Sequence, residues 1–154
     1  MASIEEVWGL LRGARALTFT AHSEAGTGWD GAGTGSVAVS EPAPGVVVFE
    51  EAGRWQPSGR RSMAFFNVFR WSRLGEAIRL EHLRFGPASP VFLFDLAPGP
   101  DGTWREVSPH ECRADCYSAT MRADGDQLVV RWSVRGPRKR ETIEYVYSDS
   151  GPGL

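Results

Sequence analysis

Cysteine is scarce in this 154-residue chain, with only Cys112 and Cys116 present. Read as one strand, that segment sets them roughly 13 Å apart at about 3.3 Å per residue. A disulfide spans at most about 7 Å between Cα atoms, so both are expected as free thiols. No apolar run reaches the about 18 residues that a membrane-spanning helix needs. Met1 to Glu6 lacks the basic and apolar blocks of a signal peptide, and a cytoplasmic location is the expectation. Net charge is only −2, so no global field draws in nucleic acid or an anionic membrane, and neither is expected as a partner. The glycine-dense stretch from Gly26 to Gly35 has no Gly-Lys-Ser/Thr ending and no helix after it, which rules against a phosphate loop.

Aromatic residues are plentiful, six Trp and eight Phe, enough to line a core or a cavity with large rigid rings. The length suits a single domain. Leu128, Val130, Trp132 and Val134 alternate with Val129, Arg131, Ser133 and Arg135, the period of a strand with one buried face. After a turn at Gly136-Pro137, Ile143, Tyr145 and Tyr147 repeat the pattern. Further strands read at Arg15–Ser23, Val37–Val39, Val46–Glu51, Ser62–Arg73, Ile78–Phe85, Val91–Leu96 and Trp104–Val107, with His110–Met121 taken as one more. Gly53 to Gly59 reads as a turn-rich connection. Ser3 and Glu6 form a capping box before Ile4, Val7, Trp8 and Leu11, which share one helical face up to Gly13. That helix either closes one end of a barrel or packs outside it.

The expected fold is therefore all-β. It is a single antiparallel up-and-down lipocalin-like barrel of about nine or ten strands with a short N-terminal helix. The domain runs over 1–148, helix about 3–12 and strands about 14–148, with 149–154 as a flexible tail.

The spacing His110-x-Cys112-x-x-Asp115-x-Tyr117, followed by Gly136-Pro137-x-Lys139, resembles an uncharacterised bacterial and fungal family. That family is a domain of unknown function with a lipocalin-like, calycin-type barrel. Leu11-x-Gly13, Glu51-x-Gly53 and Phe69-x-Trp71 also look like its motifs, so the resemblance covers most of residues 11 to 147. The chain departs from the pattern at Arg15, where an aromatic residue is common. It departs again at Arg140-Glu141, where an acidic and an aromatic residue commonly follow the lysine. The resemblance implies a fold and no particular reaction.

Phe69, Trp71, His110, Cys112, Asp115, Tyr117, Trp132, Lys139 and Tyr145 are the candidate ligand-binding residues. The aromatic members would supply the lining, and His110, Asp115, Tyr117 and Lys139 would orient a small, largely apolar ligand that carries an anionic group. Arg70 is a further candidate to turn into the mouth. His110 and Cys112 offer two ligands to a metal where three or four are usual, so neither a metal site nor another cofactor is expected. A second reading makes the cluster catalytic, with His110 or Tyr117 as acid and base and Asp115 as partner. On an unbulged strand, however, Asp115 faces away from Cys112. No catalytic residue is assigned on that footing. A third reading is a solid-core interaction module recognised through its Arg-rich outer face; a homodimer is compatible with any of the three.

Overall fold

The computed structural model describes residues 3–24, 30–107, 110–112, 115–137 and 140–150; the side chains of 110–112 and 115 lie outside that description. The helix α1 (Ile4–Gly13) forms where the spacing places it. Ser3 Oγ accepts the backbone N–H of Glu6 at 3.2 Å, which satisfies one orphan donor of the first turn. Ile4, Val7, Trp8 and Leu11 are buried.

Among the described residues eleven strands follow. They are β1 (Ala16–Ser23), β2 (Gly31–Ala43), β3 (Val46–Pro57), β4 (Met63–Leu74), β5 (Ala77–His82) and β6 (Val91–Pro98). After these come β7 (Trp104–Glu106), β8 (His110–Cys112), β9 (Asp115–Asp124), β10 (Gln127–Arg135) and β11 (Arg140–Ser148). Each pairs antiparallel with its neighbours, and β10 bonds to both β9 and β11. That second pairing closes a ring of ten strands, with β8 left as a short hairpin arm on β9. The all-β barrel expected from the alternation is the fold observed.

Up-and-down order sorts the connections by end. The β2–β3, β4–β5 and β9–β10 turns share one end with α1, which is pinned there by Arg12–Glu41 at 2.6 Å and Arg73–Glu5 at 3.0 Å. Two of these turns have two-residue loops whose first residue is a glycine at positive φ, Gly75 at 63° and Gly125 at 62°, which suits the twist of the flanking strands. The helix face joins the core cluster together with Leu17, Trp71, Trp104, Ile78 and Met121. Of the two placements open to it, α1 takes the one that plugs the barrel.

Two expectations need correction. The connection read at Gly53–Gly59 is strand as far as Pro57, and it pairs with the glycine stretch, which is strand from Gly31 onward. These glycines stand where a side chain would collide with a ring or with the facing backbone. A Cβ on Gly33 would run into the Phe19 ring and the Trp55 side chain, and one on Gly53 would run into the Thr34 carbonyl. The second correction concerns His110–Met121, which is two strands. Cys112 pairs with Asp115 and His110 with Tyr117 across a hairpin. Cys112 and Cys116 therefore lie on neighbouring strands, not 13 Å apart along one strand. Cys116 is an exposed free thiol. An alternating pattern carries no clear mark of where one strand ends and the next begins.

Gly33→Ala is expected to lower stability by about 1–3 kcal/mol through overpacking against Phe19. The measurement is the urea midpoint at unchanged slope; an unshifted midpoint would show that Phe19 and Trp55 yield freely.

Candidate functional site

Inward-facing residues divide by depth. Toward the helix-plugged end, Trp71, Trp104, Ile78, Leu80, Leu96, Met121 and Leu128 are all at most 1% exposed, which is a filled core. Toward the other end, Phe19, Trp55, Phe65, Asn67, Trp132, Ile143 and Tyr145 are half-buried although they face inward. Phe19, Ala21, Trp55, Phe65, Asn67, Ile143 and Tyr145 line an open cavity of about 180 Å³. Phe19 anchors it, with ring centroids 5.4 Å from Phe65, 5.4 Å from Tyr145 and 6.2 Å from Trp55. A larger groove of about 500 Å³ lies outside the barrel over β3 to β5. Its charged groups are already occupied with one another, in Arg70–Glu81 and Arg79–Asp95, each at 2.9 Å.

Beneath the cavity lies a buried carboxyl. Glu51 is fully buried, and its Oε2 accepts the O–H of Tyr147 at 2.6 Å. Removal from water pushes the Glu51 pKa up to about 8, against the smaller pull of the Tyr147 hydrogen bond. At neutral pH the group is mostly protonated. Burial foremost, with the Glu51 charge adding, raises Tyr145 and Tyr147 above the usual phenol range. Glu51 Oε1 and the ring nitrogens of Trp71, Trp104 and Trp132 are buried with no hydrogen-bond partner among the described residues. His82 stacks on Phe69 at 4.9 Å, and burial followed by the Arg84 charge lowers its pKa.

The structure distributes the candidate residues as follows. Phe69 and Trp71 are core, with Trp71 against Phe49 at 5.7 Å. Trp132 stands near the middle of the barrel, 5.4 Å from Phe94, 5.9 Å from Phe69 and 6.2 Å from Tyr145. Tyr117 and Tyr145 are half-buried and pack on the core. The backbone of β8 and β9 sets His110 opposite Tyr117 and Cys112 opposite Asp115. The side chains of His110, Cys112 and Asp115, and all of Lys139, lie outside the described residues. Arg70 does not enter the mouth: it is on the outer face, in phase with Ala64, Phe66 and Val68, and pairs with Glu81.

Sequence reasoning missed Glu51 and most of the cavity wall. A signal existed for Glu51, since it is in phase with Val47 and Phe49 and so belongs to the inward face of β3. Trp55 was hidden by reading its segment as a turn.

The pH dependence of stability follows from Glu51. Its folded pKa of about 8 exceeds the ordinary 4.5. Between those values the native state holds a proton that the unfolded chain releases, so stability falls as pH rises. The slope should approach −1.4 kcal/mol per pH unit, roughly the linkage value for one proton. Urea titrations at pH 5, 6.5 and 8 should show this decline, and Glu51→Gln should flatten it. A wild-type stability that is level over this range would contradict a buried neutral carboxyl.

No curated protein matches the chain at a significant level. Among solved structures, EF1p2_mFAP2b bound to DFHBI shows 10% sequence identity and a TM-score of 0.49, over 95% of this chain and 99% of that one. The family of unknown function DUF6314 matches residues 11–149, which is nearly the whole barrel, and this chain belongs to that family.

Proposed function

We propose that the chain is a binding protein for a small, flat, largely apolar molecule that enters the barrel opposite α1. The observation that carries this reading is the contrast between the two ends. Inward aromatic residues are sealed at one end and half-exposed around a cavity at the other. A solid interaction module would have no need to leave Phe19, Phe65 and Tyr145 facing an open space, because exposed aromatic surface forgoes burial energy of about 25 cal/mol per Å².

Size narrows the ligand. The cavity of about 180 Å³ falls below the roughly 300 Å³ at which drug-sized sites begin, which suits one or two fused rings. Arg60, Arg61, Arg84 and Arg135 are exposed at the same end of the barrel, so an anionic group on the ligand would be held outward at the rim. The inner wall is apolar or neutral, and a charge would be costly there.

The test is native mass spectrometry of untagged protein together with a thermal-shift panel of mono- and bicyclic aromatic compounds, including aromatic acids. A bound adduct or a stabilising compound is expected. Ala21→Trp should fill the cavity and abolish the effect while far-UV circular dichroism stays unchanged. Phe65→Ala should weaken binding by about tenfold or more, in line with the loss of one aromatic contact surface. If no compound binds and no adduct appears, the cavity is a packing gap and the binding reading is wrong.

A further inference from the structure

Two of the buried polar atoms without partners among the described residues belong to side chains that adjoin the cavity wall. Trp132 approaches Tyr145 from β10, at 6.2 Å between ring centroids, and its Nε1 has no partner among the described residues. Glu51 approaches from β3. Its Oε2 is held by Tyr147, whose ring lies parallel to that of Tyr145 at 5.9 Å, and its Oε1 is left over. In the sheet register Glu51 stands directly opposite Asn67, which lines the cavity. Tyr145, which packs on Trp132 and stacks on Tyr147, is itself part of the wall.

Buried polar atoms without partners are rare in folded proteins because each forfeits its hydration. We propose that Glu51 and Trp132 are the inner polar anchors of the cavity, taking a flat ring compound that carries a carbonyl oxygen or ring nitrogen at its inner end. The chemistry follows from what each atom offers. An indole N–H can only donate. A carboxylic acid that accepts from Tyr147 on Oε2 has its own proton for Oε1, and so it donates too. Two donors call for an acceptor, and a ligand that reaches them displaces the Tyr145 ring that packs on Trp132 and Tyr147. The raised pKa of Glu51 is consistent with a carboxyl kept neutral for this purpose. A buried carboxylic acid and a phenol that together address a carbonyl are a known arrangement elsewhere. This inference rests on the binding reading above and specifies the ligand class.

The probes are 1-indanone and indane, which share a bicyclic frame and differ by one carbonyl. Isothermal titration calorimetry would measure both on the full chain, on Trp132→Phe, and on the double variant Glu51→Met, Tyr147→Phe. The double variant removes both partners of the hydrogen bond and leaves neither orphaned, so it should fold. The ratio of ketone to hydrocarbon affinity is expected to fall about tenfold in the double variant and severalfold in Trp132→Phe, as for loss of one hydrogen bond. A ratio that is equal in wild type and both variants overturns the anchor assignment while leaving the binding reading intact. If neither compound binds the wild type but other aromatics do, the inner end does not take a carbonyl and the proposal fails. If nothing binds at all, the binding reading itself has failed.

Discussion

The double pairing of β10, with β9 on one side and β11 on the other, is the interaction on which the rest of this structure depends. Without it the strands would form an open sheet with two unpaired edges and no enclosed interior. With it, the period-2 alternation of each strand becomes a division between lumen and solvent. Trp71, Phe49 and Tyr147 then meet although they come from β4, β3 and β11. The helix works within this frame, since a ring of ten strands has an end to plug and an open sheet would not.

Closure also creates the polar problem inside. One carboxyl oxygen, Glu51 Oε1, and three indole nitrogens are buried without partners among the described residues. Keeping Glu51 protonated lessens the cost, because a neutral acid loses far less on leaving water than a carboxylate. The Tyr147 hydrogen bond recovers part of what remains. Guanidinium groups, by contrast, are kept to the rim and the outer face. Arg70 and Arg79 illustrate the confinement: both are satisfied by carboxylates across the outer sheet surface.

Much of this was legible in the chain. The phase of β10 and β11, the inward set Phe65, Phe69, Trp71, Trp132, Tyr145 and Tyr147, and the capped helix all follow from local spacing. Local spacing suffices there because side-chain direction along a strand or helix is fixed by backbone geometry alone. Even the outward placement of Arg70 was implied by its phase with Phe66 and Val68. The Gly53–Gly59 segment misled, since an isolated reading of it sees only turn propensity. The role of Gly33 and Gly35 as seats for Phe19 and Phe65 depends on neighbouring strands.

The sequence by itself determined most element types, the inside and outside of the regularly alternating strands, and an all-β barrel, because these depend on residues a few positions apart. Tertiary structure alone decided four things. They are the break of His110–Met121 into a hairpin, the meeting of Glu51 with Tyr147 across 96 positions, the end that α1 plugs, and the end left hollow. The reason is physical. Each of these depends on the register in which distant strands pair, and register is set by the volume of side chains packed inside the closed ring.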